Sequence, residues 1–152
     1  MSRIAFFPGS FDPITKGHED IVRRAIPMYD EIIVALGVNS SKNYMFSFEQ
    51  RLKWIEDTFK DCTNIKVISY EGLTIDACKK HNAKFILRGL RNSNDYEYEK
   101  SIAMMNQALA PDIETVYLNT RPEWSAISST IIRDIIKNQG DSAAFLASGV
   151  QL

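Results

Sequence analysis

A glycine–histidine pair follows closely on a short apolar segment near the beginning of the chain. Residues Ile4–Phe7 are apolar and lead into the segment PGSFDPITKGH at residues 8–18. A strand that ends at Pro-Gly, followed by a helix that begins near Gly17 and His18, would bring backbone N–H groups, the Ser10 hydroxyl and an imidazole to one place. Because a helix N-terminus attracts anions, this combination predicts phosphate chemistry in which His18 donates a hydrogen bond to a phosphoryl oxygen.

Two later segments contain residues suited to binding a polyphosphate. Residues 124–133 have the sequence WSAISSTIIR, in which three successive hydroxyl residues open an apolar periodic stretch. These hydroxyls and the first N–H groups of a helix could enclose terminal phosphates, although any one of them alone is more typical of an ordinary helix cap. In the segment RGLR at residues 88–91, Arg88 directly follows an apolar run, where a guanidinium can bind a phosphate through two hydrogen bonds. A lone arginine such as Arg91 fits a solvated surface charge equally well.

Five other polar residues each fit both a functional and an ordinary role. Lys42 follows the second apolar run, where it could supply a point charge to a phosphate, but most lysines are solvated. Glu99 could accept a hydrogen bond from a ribose or an amine, whereas an exposed helix carboxylate is the simpler expectation. His81 is expected to cap the end of a helix. Asp12 and Asp95 could contact Mg²⁺, but no group of carboxylates forms a metal cage, so the sequence predicts no metal ligands of its own.

The composition favours one compact domain that has no general affinity for nucleic acid or membranes. The chain has 152 residues, 45% of them hydrophobic, which predicts a single domain over residues 1–152. A net charge of −1 gives no general attraction for nucleic acid or membranes. No apolar run approaches the ~18 residues of a membrane span, and Cys62 and Cys78 lack the spacing of a metal site. We therefore expect reduced thiols and a cytoplasmic location.

Apolar runs of strand length alternate with segments of helical periodicity. The predicted strands are Ile4–Phe7, Ile32–Val38, Ile65–Tyr70, Phe85–Leu87 and Thr115–Leu118. Helix faces are predicted at Phe48, Leu52, Ile55 and Phe59, at Tyr98, Ile102, Met105 and Leu109, and at Ile131, Ile132, Ile135 and Ile136. Ser47 and Gln50 form a predicted capping box, and Gly140 is a plausible stop for the last of these helices. This alternation predicts an α/β fold: a doubly wound, Rossmann-like five-stranded parallel sheet with helices on both faces.

In a doubly wound sheet, the loops after successive strands meet at one edge. Polar residues that directly follow each apolar run are therefore the candidate site residues. They are Ser10 and His18; Asn39, Ser41 and Lys42; Glu71, Leu73 and Thr74; Arg88, Gly89 and Arg91; and Arg121, Trp124 and Ser125–Thr130. This edge gathers basic residues from a chain of almost zero net charge, as a polyphosphate site requires.

Several of these motifs together resemble those of the bacterial phosphopantetheine adenylyltransferase family. They are PGSFDPITKGH, the SSK after the second apolar run, RGLR with DYEYE behind it, and WSAISST, in register over nearly the whole chain. The TxGH element alone would indicate only the nucleotidyltransferase superfamily, whose general form is HxGH; Thr15 stands at the first histidine position, as is usual in this family. The resemblance implies transfer of AMP from ATP to 4′-phosphopantetheine, which gives dephospho-coenzyme A and pyrophosphate.

The resemblance also implies roles for individual residues. His18 would stabilise the transition state at the α-phosphate, and the acceptor would be bound by Ser10, Lys42, Thr74 and Arg88. ATP would be bound by Ser10, Phe11, His18, Gly89, Leu90, Arg91, Glu99, Trp124, Ser125, Ala126, Ile127, Ser128, Ser129 and Thr130. Mg²⁺ is expected to arrive with ATP. A homohexamer and feedback by coenzyme A in the same pocket are further expectations from the resemblance.

Two alternatives remain open at this point. One is a sister nucleotidyltransferase whose acceptor is nicotinamide mononucleotide or glycerol 3-phosphate, and the other is a non-catalytic ATP-binding module. The chain departs from the family pattern in having Ser10 where threonine is commoner, and in lacking a proline after Lys42, which predicts a more mobile loop. It contains no Ser-His-Asp or Cys-His pair that would indicate a covalent intermediate, so direct in-line transfer is expected.

Overall fold

The five apolar runs form the five parallel strands of one sheet. The computed structural model describes all residues from 1 to 152. Its strands are β1 (Ile4–Gly9), β2 (Glu31–Val38), β3 (Ile65–Glu71), β4 (Phe85–Leu90) and β5 (Glu114–Asn119), in the order β3-β2-β1-β4-β5. Its helices are α1 (Lys16–Ala25), α2 (Phe48–Phe59), α3 (Thr74–Lys80), α4 (Ser93–Leu109) and α5 (Ser129–Lys137). The predicted doubly wound fold is therefore confirmed. None of the five helices has the length and apolar character of a membrane span.

Strand residues alternate between two separate hydrophobic cores, one on each face of the sheet. Phe7 of β1 packs in the core that includes Val22 of α1 and Ile55 of α2. Phe6, its neighbour, packs on the opposite face with Ile75 of α3. Successive side chains of a strand point to opposite faces, so a run that is buried on both faces is continuously apolar. This is why the central strands β1 and β2 were recognisable from the sequence.

The direction of winding reverses between β1 and β4, which lie side by side at the centre of the sheet. The carboxyl ends of these two strands lead to Ser10 and contain Arg88. In open α/β sheets, ligands bind in the crevice that forms at such a reversal. The fold thus brings the first and third candidate motifs to one crevice.

The predicted caps of α2 and α3 are present. The Ser47 Oγ accepts a hydrogen bond from Gln50 N, and the Gln50 side chain accepts one from Ser47 N, as in a capping box. His81 is the C-cap residue of α3, and its N–H donates to Ala77 O. Both sequence predictions are confirmed.

The apolar stripe predicted on α4 is not a core face. Side chains of Tyr98, Ile102, Met105 and Leu109 are 41–70% exposed. The side of α4 that packs against the rest of the protein is instead the one with Glu99, Ala103 and Asn106, which are buried or half-buried. Periodicity identified an apolar face correctly, but nothing within this chain covers it.

The end of α5 also differs from the prediction. The helix ends at Lys137, three residues before Gly140. Gln139, not the glycine, has the left-handed backbone (φ 61°), and the Gly140 N–H donates to Ile135 O at 2.8 Å. Glycine is needed at 140 because a Cβ there would lie 2.8 Å from the Ile135 side chain.

Candidate active site

His18 completes an unusual capping box at the beginning of α1. Thr15 is the N-cap residue, and its Oγ1 accepts a hydrogen bond from His18 N at 3.2 Å. The Thr15 N–H donates in return to His18 Nδ1 at 3.0 Å, in the place where glutamate or glutamine usually accepts. Because Nδ1 is the acceptor, the neutral imidazole carries its proton on Nε2. His18 is therefore a fixed Nε2–H donor.

The surroundings of His18 keep the ring uncharged. Phe7 and Phe11 lie edge-on to the imidazole, with ring centroids at 6.3 and 5.1 Å. Burial and, to a smaller extent, the positive charges of Arg88 and Arg91 together lower the pKa of His18 to about 4. At neutral pH, His18 can thus donate a hydrogen bond without adding a full charge.

Arg88 is held at the crevice by three hydrogen bonds. Its Nε and Nη2 donate to the two carboxylate oxygens of Glu99 at 3.0 and 2.7 Å. Its Nη1 donates to Pro8 O at 2.7 Å, across the gap between β4 and β1. Glu99 is only 9% exposed, so the expectation of an exposed helix carboxylate is wrong. A cation at the end of a core strand needs a buried partner, and α4 supplies it.

Arg91 is oriented in a similar way from the loop after β4. Its Nε and Nη2 donate to Asp95 at 3.0 and 3.1 Å, and this ion pair also lowers the pKa of the Asp95 carboxyl, against the opposing effect of its partial burial. Arg91 Nη1 donates to Ile127 O at 3.4 Å, which connects this loop to the one before α5. The expectation of a free, solvated Arg91 is therefore replaced by a paired one.

The loop that contains Lys42 is fastened to the loop after β1. Lys42 Nζ lies 3.3 Å from Ser10 Oγ. Buried Asp12 accepts hydrogen bonds from the N–H groups of Met45 and Phe46 at 2.9 and 3.0 Å. These bonds hold the loop in place where the sequence lacks the proline. Each oxygen of Asp12 accepts one of these two N–H groups.

Buried Arg51, on α2, connects the loop after β1 to the loop that contains Lys42 through backbone carbonyls of both. It donates from Nη1 to Ser10 O at 2.8 Å and from Nε to Phe46 O at 3.1 Å. Its guanidinium lies 3.9 Å from the centroid of the Tyr44 ring, close enough for a cation–π contact. Arg51 is 2% exposed and belongs to no ion pair. An unpaired positive charge therefore lies directly beneath Ser10.

The hydroxyl residues before α5 have divided roles. Ser128 is the N-cap, and its Oγ accepts from Ile131 N at 3.1 Å. Ser129 Oγ donates to Pro13 O at 2.8 Å, which ties α5 to the loop after β1. Thr130 Oγ1 accepts from Arg133 Nη2 at 3.2 Å. The Ile131 N–H is thus taken by the cap, whereas the N–H groups of Ser129 and Thr130, at the first turn of α5, remain available to an anion.

Two cavities meet at the crevice. The α4 cavity, of about 340 Å³, lies between the ends of β2 and β4 and helix α4; its lining includes Lys42, Tyr70, Thr74, Tyr98, Ile102 and Asn106. The α5 cavity, of about 320 Å³, lies between α1 and α5; its lining includes Phe11, His18, Gly89, Arg91, Trp124 and Ser128–Thr130. Both are lined by Pro8, Gly9, Ser10, Arg88 and Glu99. Two ligands could therefore lie side by side and touch at Ser10 and Arg88.

Comparison with known proteins assigns the chain to a family. Residues 6–135 match the cytidylyltransferase-like family. A protein of Flavobacterium psychrophilum named phosphopantetheine adenylyltransferase is 56% identical over 150 residues, which cover 99% of each chain. The chain belongs to the phosphopantetheine adenylyltransferase family. A member from Bacteroides thetaiotaomicron is 45% identical, again over 99% of each chain. The chain is therefore an enzyme of the nucleotidyltransferase class.

Solved structures share the fold at low sequence identity. A bifunctional NMN adenylyltransferase/ADP ribose pyrophosphatase from Francisella tularensis superimposes with a TM-score of 0.75 at 20% identity, covering 99% of this chain and 46% of that one. A putative nicotinate-nucleotide adenylyltransferase from Vibrio parahaemolyticus gives a TM-score of 0.69 at 16% identity, covering 96% and 94%. At these identities, the likeness supports the architecture alone.

Most site residues expected from resemblance to phosphopantetheine adenylyltransferases line the two cavities. Three do not: Leu90, Ser125 and Ala126. Leu90 contributes its carbonyl to the Thr120 N–H, and Ser125 Oγ donates to Pro122 O within a turn of 3-10 helix. Ala126 is exposed on the loop before α5.

Several lining residues were missed by sequence reasoning. Tyr70 was counted as a strand residue, yet its OH lies 3.0 Å from Thr74 Oγ1 in the α4 cavity. Tyr98 and Ile102 were assigned to a core helix face. Their positions on α4 gave no signal that a cavity lay beside them. Asn106, a polar residue on the same helix, was the one available hint.

No group of side chains in the site forms a metal centre. No cluster of three or more His, Cys, Asp or Glu residues could hold a metal ion. Asp12 is occupied by backbone N–H groups and Asp95 by Arg91.

Proposed function

We propose that this enzyme transfers the adenylyl group of ATP to 4′-phosphopantetheine, forming dephospho-coenzyme A and releasing pyrophosphate. The observation that carries the proposal is the meeting of two cavities at Ser10 and Arg88. A transferase that joins two phosphorylated substrates needs adjoining sites with a shared cationic boundary. A module that only binds ATP needs one of them.

The α4 cavity suits a phosphorylated, partly apolar acceptor. Lys42, Arg88, Thr74 and Ser10 would bind the acceptor and its phosphate at one end. Tyr98 and Ile102 supply apolar surface further along, against which a pantetheine arm would pack. This division of a polar end and an apolar wall matches the chemistry of 4′-phosphopantetheine.

The α5 cavity suits ATP. Gly89, Arg91, Trp124 and Ile127–Thr130 line this cavity and would bind the nucleotide, with its phosphates near the beginning of α5. A Cβ on Gly89 would lie 3.0 Å from the Ile21 side chain, so glycine allows β4 to lie close to α1 at this point. Lys16 Nζ lies 5.3 Å from the centre of the Trp124 ring and joins α1 to the loop before α5.

The chemical step would be a direct displacement. The acceptor phosphate is already an anion, so it attacks the α-phosphorus of ATP without a general base, and pyrophosphate leaves on the opposite side. The barrier then comes from alignment and from crowded negative charge. His18 Nε2–H would donate to the α-phosphoryl oxygen as charge builds there, while Lys42, Arg88 and Arg91 offset the charge of both substrates. Mg²⁺ enters with ATP as part of the substrate.

We also propose a domain organisation, a cellular location and a form of feedback for this enzyme. Residues 1–152 act as one nucleotidyltransferase domain, located in the cytoplasm and subject to feedback by coenzyme A at the same cavities. The free cysteines Cys62 and Cys78 fit a reducing compartment. Competition between coenzyme A and phosphopantetheine in a binding assay tests the feedback, and simultaneous occupancy would contradict it.

The resemblance implies a homohexamer, and the uncovered apolar face of α4 is a surface through which copies of the chain could pack. Tyr98, Met104, Met105 and Leu109 are all more than half exposed. Contiguous apolar surface of this kind marks protein contacts, and a second copy of the chain is the partner implied by the resemblance. Analytical ultracentrifugation should give a hexamer, and Met105→Glu should give smaller species; a monomeric wild-type protein would contradict this.

The test of the proposed function is pyrophosphate release from ATP with a panel of acceptors. We expect release with 4′-phosphopantetheine and none with nicotinamide mononucleotide, glycerol 3-phosphate or no acceptor. His18→Ala should lower kcat about 10²–10³-fold with little change in either KM. Release of pyrophosphate with another acceptor would support adenylyl transfer but contradict 4′-phosphopantetheine as the acceptor. ATP binding without release would indicate the non-catalytic module.

A further inference from the structure

A third cavity opens beside the two that meet at the crevice. This basic cavity, of about 320 Å³, lies between the loop of residues 42–45 and the face of α5 that contains Arg133 and Lys137. Ser10 lines it as well as the α4 and α5 cavities. All three cavities therefore border the same residue, Ser10.

The cations of the basic cavity have no acidic partners. No carboxylate oxygen lies within 4.0 Å of the charged groups of Lys42, Arg133 or Lys137. Asp12 also lines the cavity, but its oxygens accept the N–H groups of Met45 and Phe46. Three cations against one carboxylate leave a net positive charge around this opening, which attracts a small polyanion.

Arg133 forms the boundary between the basic cavity and the α5 cavity. It lines both, donating from Nη1 to Asp12 O at 2.9 Å and from Nη2 to Thr130 Oγ1 at 3.2 Å. Thr130, Arg133 and Lys137 are spaced three and four residues apart, so they lie along one face of α5. A line of donors therefore runs from the expected phosphate end of ATP into the basic cavity.

The lining favours an inorganic anion over a second nucleotide. Tyr44 is the one aromatic residue of the basic cavity, and its ring is already engaged by the Arg51 guanidinium 3.9 Å away. A base would find no other ring on which to stack. The three unpaired cations instead suit the charge of a diphosphate.

We propose that the basic cavity is an exit site that holds pyrophosphate after it leaves the α5 cavity. The inference rests on the proposed adenylyl transfer, since that reaction is the source of the pyrophosphate. Lys137 is its diagnostic residue, because it lines the basic cavity and neither of the other two. Removing it should weaken pyrophosphate binding and leave the substrates of the forward reaction unaffected.

The first experiment measures both directions of the reaction in Lys137→Ala. In the reverse direction, from dephospho-coenzyme A and pyrophosphate, KM for pyrophosphate should rise about five- to tenfold. In the forward direction, KM for ATP and for 4′-phosphopantetheine should stay within about twofold of wild type. Lys137→Arg should retain the wild-type KM for pyrophosphate. Lys60→Ala removes an exposed lysine that also has no ion pair and lines none of the three cavities, so it serves as the matched control.

The second experiment does not depend on activity. Calorimetric titration with sodium pyrophosphate should show binding to wild type that weakens about five- to tenfold in Lys137→Ala, with inorganic phosphate binding more weakly to both. Equal pyrophosphate affinity in wild type and Lys137→Ala would overturn the exit site. A parallel rise in KM for ATP would also overturn it, because Lys137 would then belong to the nucleotide site. Failure of the adenylyl transfer itself would appear instead as absent turnover in wild type.

Discussion

Arg88 and Glu99 form a two-bond ion pair at the crevice where both proposed substrates meet. The two carboxylate oxygens of Glu99 accept from Arg88 at 2.7 and 3.0 Å. Both oxygens are thus used to orient the guanidinium, whose remaining N–H groups are left for a phosphate. In this geometry, Glu99 acts through Arg88, whereas the resemblance implies direct contact with ATP.

Glu99→Gln should separate these two roles. A neutral amide cannot accept two charge-assisted hydrogen bonds, so Arg88 loses its fixed direction. KM for 4′-phosphopantetheine should rise about tenfold, with a smaller change in KM for ATP, in steady-state kinetics. Glu97→Gln, at an exposed position on the same helix, is the control and should change neither. An effect confined to KM for ATP would show that Glu99 contacts the nucleotide instead.

The imidazole of His18 should titrate far below the usual range. An NMR pH titration should give an apparent pKa near 4 for His18, because burial and the charges of Arg88 and Arg91 disfavour the protonated ring. Recording the same spectra for His81→Gln assigns the two histidine signals. An apparent pKa of 6 or more for His18 would contradict a neutral Nε2–H donor at physiological pH.

The same shift makes stability depend on pH. Between pH 6.5 and about 4, the unfolded chain binds a proton at this histidine and the folded chain does not. The free energy of unfolding should therefore decrease as the pH falls through this window, by about 3 kcal/mol in total from His18. Urea denaturation at a series of pH values measures it. In His18→Gln the decrease should be smaller by that amount; an unchanged pH dependence would contradict the shift.

Arg51→Met tests whether the buried cation organises the phosphate-binding loops. The substitution leaves Ser10 O and Phe46 O without their donor, which should lower the free energy of unfolding by about 2 kcal/mol. Because the Ser10 loop borders all the cavities, KM should rise for both substrates. Lys53→Met, at an exposed position on the same helix, should have little effect on either measurement. Wild-type KM values in a folded Arg51→Met variant would show that Arg51 does not organise the phosphate-binding loops.

Gly149→Ala tests the connection between the end of the chain and the histidine. A Cβ at residue 149 would lie 2.7 Å from Trp54 O and closer still to Thr58 N, so alanine cannot fit without movement. The neighbouring Leu146 pairs with Thr15, whose N–H holds His18 Nδ1. We expect Tm to fall by several degrees and kcat to fall more than KM rises.

A terminal residue beyond the contact provides the control for this substitution. Gln151→Ala, at an exposed position, should preserve both Tm and kcat. Hydrogen exchange at the Thr15 and His18 amides would show directly whether the capping box has loosened in Gly149→Ala. Unchanged exchange and kcat would mean that the terminal segment contributes to stability alone.

The centre of the sheet could be predicted from the sequence because β1 and β2 are buried on both faces. Phe6 and Phe7 pack in different cores, so the pattern along β1 is continuously apolar and stands out from the helices. Because the loops after successive strands of such a sheet meet at one edge, Ser10, Lys42 and Arg88 were expected to lie there. The structure places these three together around one crevice.

Side-chain contacts between elements that are distant in the chain could not be predicted from the sequence. Glu99 looks like any helix carboxylate until α4 is positioned against the end of β4. Arg51 lies among ordinary polar residues of α2, and no local pattern marks it as buried. The apolar side chains of α4 have helical spacing, but spacing alone does not specify whether the face meets its own sheet or another molecule.

The most direct test of the account is a rapid-mixing measurement of pyrophosphate release from enzyme preincubated with ATP. Direct transfer between adjoining cavities predicts no pyrophosphate until 4′-phosphopantetheine is added. After the addition, pyrophosphate and dephospho-coenzyme A should form together at one rate. A burst of pyrophosphate before the acceptor arrives would reveal an adenylylated enzyme and contradict direct transfer. Absence of dephospho-coenzyme A after the addition would contradict the proposed reaction itself.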